Sequence, residues 1–250
     1  PAPRPPILPA SEDQDMAEHP FTRADLDLLR QWDTPTLCNA LELVAPARRG
    51  RGFSLRPFVV ADPGLPPICG LARTGRIRAA QPSGRAREDD RAARIGWYEY
   101  VADAELPTVV VIEDLDTVPG YGAFWGEVNS AVHKGLGCQG CVTSGSFRDL
   151  DMLAPGFQIL GGMVNPSHAY VHMVDFGREV EVHGMPCIHD DVVHADRHGA
   201  VVIPAEAVRA LPAAIDLCAR REKVILDMAR RDDFSINKLK DALTRADEIH

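Results

Sequence analysis

The chain has 250 residues, 45% hydrophobic and 25% charged, an ordinary balance for a globular protein that builds its core without staples. Its net charge of −9 argues against a nucleic-acid surface, because phosphate binding calls for a basic face, but leaves room for a small anion held by one or two arginines. No run of ~20 apolar residues marks a membrane span. The six cysteines, at 38, 69, 138, 141, 187 and 218, are scattered, and "PAPRPPILPASEDQD" lacks the basic-then-apolar pattern of a signal peptide, so reduced thiols and a cytoplasmic location are expected.

Residues 1–22 read as a flexible Pro-rich arm. "WDTPTLCNALELV" then opens a helix, with Thr34 as cap, Pro35 at the first helical position, and Leu37, Ala40, Leu41 and Val44 on one face. An Arg/Gly/Pro-rich stretch, 46–67, reads as irregular. "ICGLARTGRIRAA" reads as a strand and "EDDRAARIGWYEYVADA" as a helix. "PTVVVIED", 107–114, is a continuous β-branched run, the pattern of a strand buried on both faces. "YGAFWGEVNSAVHKGLG", 121–137, reads as a helix ending at glycines, and "GCQGCVTSG" as the next buried strand. Strand, helix and strand in ~35 residues make a βαβ unit with parallel strands. "FQILGGMV" is a further strand, and Val180 to Pro204 alternates strand and turn. Beyond Pro204 the chain reads as helical, with Pro212 interrupting and Val208, Leu211, Ile215, Cys218, Ile225 and Met228 on one face. The expectation is one α/β domain over 23–204, a layered mixed sheet with a βαβ core, followed by a C-terminal helical arm over 205–250.

Ligands of parallel sheets bind beyond the C-terminal strand ends. Here one strand ends at Glu113, Asp114 and Asp116, and the other runs through Ser144 into "GSFRDLD", which carries Arg148 and Asp149. The intervening helix starts at the same edge, near Gly122 to Trp125, with Glu127 in its first turns. Its free N–H groups favour an anion. An arginine plus backbone amides suits a carboxylate, and two carboxylates with room for water suit Mg²⁺ or Mn²⁺. Taken alone, an Arg-Asp pair after a strand is more often a turn pair or a helix cap; convergence on one edge is what points to a site.

"WGEVNSAVHKGLGCQGCVTSGSFRDLDML" resembles the Gly-Glu helix and Gly-x-x-Arg-Asp motif of the RraA-like proteins, a family that includes the 4-hydroxy-4-methyl-2-oxoglutarate aldolases. "DTPTLCNAL" and "HDDVVHADRHGAVVIP" fit its N-terminal helix and its late Asp-x-x-x-x-Asp-x-x-Gly segment. The resemblance implies an RraA-like sandwich, a homotrimer or a dimer of trimers, and a divalent-metal-dependent lyase that releases pyruvate, with oxaloacetate decarboxylation. It implies that Gly126, Glu127, Val128, Asn129 and Arg148 hold the pyruvyl group. Asp149 would ligate Mg²⁺ (or Mn²⁺ or Co²⁺) and Glu127 would help hold metal-bound water. Glu222 is the match for an acid that a neighbouring subunit contributes. This sequence has Ser144 where many relatives carry an acid, and Asp190 where they often have Gly. One branch of the family is named for inhibiting a ribonuclease, so a non-catalytic regulator is the alternative.

A lysine Schiff base, the other electron sink for a retro-aldol step, is not expected, because Lys134, Lys223, Lys238 and Lys240 all lie away from strand ends. His168/His172 and His194/His198 have zinc-binding spacing only on a helix, and both pairs fall in strand or turn. His168 follows a strand and is placed near the substrate. Cys138-x-x-Cys141 opens a buried strand and is not expected to be redox-active.

Overall fold

In the computed structural model of the protein, residues 19–250 are described. Most of the Pro-rich arm expected over 1–22 lies outside them. Helix α1 (Arg23–Leu29) begins with a reciprocal capping box between Thr22 and Asp25. Helix α2 (Thr34–Val44) is capped by Asp33, whose Oδ1 accepts the Thr36 N–H at 2.9 Å. The cap is therefore one residue earlier than expected. Thr34 is instead the first helical residue, and its N–H donates to Asp196 Oδ2 at 3.1 Å while its hydroxyl meets His194 Nδ1 at 3.0 Å.

The main sheet is mixed and has eight strands. Strand β1 (Val59–Val60) lies at one edge. Strands β2 (Ile68–Arg78), β3 (Thr108–Asp114), β5 (Cys138–Thr143) and β7 (Gln158–Gly161) run parallel in the order β7-β5-β3-β2. Strands β12 (Val192–Asp196) and β13 (Gly199–Ile203) extend it antiparallel on the β2 side, and β9 (His172–Phe176) pairs with the end of β2. The alternation within β3 explains its continuous apolar run. Val109 and Val111 pack toward the hairpin of β10 (Val180–Val182) and β11 (Met185–Cys187), whereas Val110 and Ile112 pack toward Trp97 and Val101 of α3 (Arg87–Ala102). The other helices, α1, α2 and the start of α5 (Leu211–Ala229), bury Leu26, Leu37, Leu211 and Ile215 over β2, β12 and β13. Pro212 lies in the first turn of α5 and starts the helix rather than interrupting it, since a first-turn N–H needs no helical partner. Helix α6 (Ile236–Asp247) packs back on α5, burying Ala242 and Ala246. Among the described residues no helix is long and apolar enough to cross a membrane.

A second, three-stranded parallel sheet sits at the C-terminal edge of the parallel strands. It comprises β4 (Ala123–Trp125), β6 (Ser146–Phe147) and β8 (Met163–Val164), each following β3, β5 and β7 respectively along the chain. The turn into β8 brings backbones together: Gly162 N–H donates to Gly145 O at 2.8 Å, and a Cβ on Gly162 would sit 2.3 Å from Ser144 O. The segment 121–137 is thus not one helix. Its first part is strand β4, and helix α4 (Glu127–Gly135) begins only at Glu127.

Two acids at the end of β3 are absorbed by the fold. Asp114 accepts the N–H groups of Asp116 (3.0 Å) and Gly120 (2.7 Å), and Asp116 accepts those of Ala79 (2.7 Å) and Ala80 (2.8 Å). Ser144 Oγ accepts the Asp114 N–H at 2.9 Å. Asp190 adopts φ +63° and pairs with the buried guanidinium of Arg73, whose other arm donates to Asp103 O. An acid here accepts the left-handed backbone that Gly would take freely, because an unpaired Arg73 would cost more.

Two histidines are sealed in the core. His133 Nδ1 donates to Asn129 O at 2.7 Å, and its Nε2 accepts the Trp97 indole N–H at 2.8 Å, so the ring is held neutral between α3 and α4. Burial pushes His133 and His194 each down to about 4. The unfolded chain takes up these protons near pH 6.5 and the folded chain does not until about pH 4. Their stabilising share is therefore complete above pH 6.5 and is lost as pH falls toward 4, by roughly 3 kcal/mol for each ring. The urea midpoint should fall markedly between pH 7.5 and 4.5; a flat midpoint across that window would contradict the burial of both rings as neutral groups.

Candidate active site

The pairing of β4 with β6 builds the site. Trp125 lies opposite Phe147, and Arg148 N–H donates to Trp125 O at 3.0 Å. The residues just beyond each strand, Gly126-Glu127 and Arg148-Asp149, are thereby set side by side. Asp149 Oδ2 accepts the Glu127 N–H at 3.2 Å and lies 3.6 Å from Arg148 Nε. Asp149 thus caps α4 from another element, while its side chain stays partly exposed to a cleft.

The backbone supports that arrangement. Asp149 has φ +57°, a left-handed conformation that Asp tolerates better than most residues. Gly126 leaves the space that Asp149 fills: a Cβ there would fall 2.4 Å from Asp149 Oδ2 and 3.3 Å from Arg148 Cγ. The N–H groups of Val128 and Asn129, next in the first turn of α4, have no protein acceptor among the described residues. They open onto the positive end of the helix. Asn129 is fixed by Tyr98, whose hydroxyl donates to its Oδ1 at 3.0 Å, and its amide donates to Phe124 O.

These groups line one wall of a cleft of ≈ 1390 Å³. Gly126, Glu127, Val128, Asn129, Arg148 and Asp149, all expected from the sequence, lie on it together. Asp114, Asp116 and Ser144 do not, being turned into the backbone. Glu222 is also elsewhere in this chain, on α5, where it accepts from the Asn39 amide at 3.4 Å. His168 does reach the cleft. Its Nδ1 donates to Ala169 O at 2.8 Å, and His172 is similarly tied to Tyr170 O at 2.8 Å.

Sequence reading missed the facing wall. It is formed by α3, through Arg87, Arg91, Arg94 and Tyr98, and by the loop through Arg85. Only a helical plot of "REDDRAARIGWY" would have shown these residues sharing a side. Cys138 and Cys141 are buried in β5, and burial raises both thiols, so the pair has no reactive thiolate. His194 and His198 lie in β12 and the turn after it, with His198 bound to Asp196. No group of three or more His, Cys, Asp or Glu side chains among the described residues is placed to close around a metal.

Such a fold and cleft define an α/β protein that sets a guanidinium, free helix N–H groups and an open carboxylate on one wall of a cleft at the C-terminal edge of its parallel strands. The chain belongs to the RraA-like family: the family model described as Aldolase/RraA matches residues 34–202. The family includes both aldolases and ribonuclease inhibitors. No curated protein matches the sequence significantly. Among solved structures, the fold is similar to Streptomyces coelicolor RraAS2, described as an unusual member of the RNase ES inhibitor RraA protein family, with TM-score 0.63 and 22% identity over 86% of this chain and 99% of that one. It is similar too to an uncharacterized protein from Pseudomonas syringae pv. tomato, with TM-score 0.63 and 18% identity over 89% of this chain and 98% of that one.

Gly126 yields a direct prediction. Gly126→Ala keeps an extended backbone that any residue adopts, but its methyl group must displace the Asp149 carboxylate. The variant should keep its melting temperature within a few degrees, while any activity the cleft supports should fall by ~100-fold, a scale set by misplacement of about 1 Å. Calorimetry and a thermal melt on the same sample separate the two effects.

Proposed function

We propose that the protein is a divalent-metal-dependent lyase that cleaves a 4-hydroxy-2-keto acid, of the 4-hydroxy-4-methyl-2-oxoglutarate type, to release pyruvate, and that also decarboxylates oxaloacetate. One observation carries the reading: a guanidinium, an open carboxylate and free helix N–H groups share a single wall of the cleft.

The donor set fits Mg²⁺, Mn²⁺ or Co²⁺. Asp149 commits Oδ2 to the Glu127 N–H and leaves Oδ1 without a protein partner, and Glu127 is exposed beside it. Few protein ligands suit an ion that keeps most of its water, whereas a closed zinc site would need more. When bound, the ion supplies Lewis-acid polarisation of the substrate's keto oxygen. Arg148 offers its guanidinium fork to the substrate carboxylate, and the Val128 and Asn129 N–H groups donate to the same pyruvyl end. Glu127 holds a water that takes the proton from the C4 hydroxyl. The C3–C4 bond then breaks toward the keto oxygen, and C3 is reprotonated to give pyruvate. In this reading the assembly is a homotrimer or a dimer of trimers, with Glu222 serving a neighbouring copy's cleft.

The test is pyruvate release followed by a lactate-dehydrogenase-coupled assay with Mg²⁺ present. Activity is expected on 4-hydroxy-4-methyl-2-oxoglutarate or oxaloacetate, to vanish with EDTA and to return with added Mg²⁺. Turnover that survives exhaustive chelation sinks the metal role. Arg148→Ala should lower kcat/KM by ~100-fold or more. Asp149→Asn retains an oxygen for the Glu127 N–H and tolerates positive φ, so it should melt like the parent and lose turnover. Absence of pyruvate release from every 2-keto acid tried would leave the ribonuclease-regulator branch as the better reading.

A further inference from the structure

The wall facing Arg148 carries charge that the fold does not use. Arg87, Arg91 and Arg94 lie at i, i+4 and i+7 of α3, on the side that lines the cleft. Like charges at this spacing destabilise a helix. None of the three forms an ion pair among the described residues. The nearby acid Asp90 is already committed, to Ser83 Oγ at 2.6 Å and to Arg85 Nε at 2.7 Å, and Arg85 itself is held to Met173 O. That leaves Glu88 as the one uncommitted acid among the α3 residues on this wall. In a chain of net charge −9, three free guanidinium groups on one side of one cleft are a local reversal.

Their distance from the reacting end is set by Tyr98. Its hydroxyl is bonded to Asn129 in the first turn of α4, which fixes α3 against the pyruvyl wall. Arg94 lies one turn back along α3, about 6 Å of helix rise, and Arg91 about 10 Å back. Burial raises the Tyr98 phenol, and the positive charge of Arg94 nearby opposes that shift. Arg91 and Arg94 line the same cleft as Arg148, from a different element.

We propose that Arg91 and Arg94 form a distal anion subsite, selecting 2-keto acids that carry a second carboxylate beyond the reacting carbon over those with an uncharged tail. This rests on the keto-acid reading of the pyruvyl wall. Arg87, farther out, steers the same anion inward.

The experiment uses binding, not turnover. With Mg²⁺ present, the full chain is titrated with 2-oxoglutarate and with 2-oxopentanoate, neither of which has a 4-hydroxyl to cleave, and the quench of Trp97 and Trp125 in the cleft wall is followed. The parent should bind 2-oxoglutarate about tenfold tighter at low salt, the scale of one charge-assisted contact. The double variant Arg91→Gln/Arg94→Gln, both exposed positions, should lose that preference while binding 2-oxopentanoate as before. Arg148→Ala should weaken both ligands. Equal binding of the two by the parent, or a preference that survives the double variant, overturns the subsite while the keto-acid reading stands. If the parent binds neither ligand, the keto-acid reading fails and the subsite falls with it.

Discussion

The parallel pairing of β4 with β6 is the constraint on which the site depends. Each is very short, and each continues a polypeptide that has just left the main sheet. The register that sets Trp125 opposite Phe147 also fixes the next residues of both segments: a helix must begin at Glu127 beside an Arg-Asp pair. Had the register slipped by one residue, the side chains would have changed faces and Asp149 could not reach the Glu127 N–H. Gly162 makes the geometry possible by letting its backbone touch that of Ser144 and Gly145 in the neighbouring turn.

Local signals carried the main sheet well. The β-branched run of β3 and the apolar run of β5 are buried on both faces, so their composition alone marks them. The start of α4 was less legible. Ala123-Phe124-Trp125 continues smoothly into a helical pattern, and only the distant partner Ser146-Phe147 makes it a strand. Thr34 was read as the cap because it precedes Pro35; the longer reach of the Asp33 carboxylate, visible only in three dimensions, decides the matter. Strand β9 was missed because its pairing is with the irregular end of β2. Within the site, Arg148, Asp149 and Glu127 follow from strand order and from the family motif. The α3 arginines do not, because a charged helix face looks like a solvated one until something is seen to face it.

Charge is distributed with more discrimination than the net value suggests. Asp114 and Asp116 stand at the strand edge where a ligand site was expected, yet both commit their oxygens to backbone N–H groups of the surrounding loops. This keeps these two charges off the cleft wall while giving the connection from β3 to β4 a fixed shape. Asp149 and Glu127 are carboxylates at that edge that remain open, and Asp149 too gives one oxygen to the backbone. The same restraint appears at His133, where one neutral ring joins the two helices that form opposite walls.

The pairing of Arg73 with Asp190 has a consequence for how such chains diverge. A relative with Gly at the second position has an easier turn there, and it has no need of an acid if it lacks the buried guanidinium. Starting from this chain, losing the acid first strands a charge in the core, whereas losing Arg73 first leaves Asp190 as a mildly strained turn residue. The two routes between the same end states are therefore unequal, and the passable one removes the arginine before the acid. The stability contributions of position 73 and position 190 are therefore coupled although 117 residues separate them in the sequence.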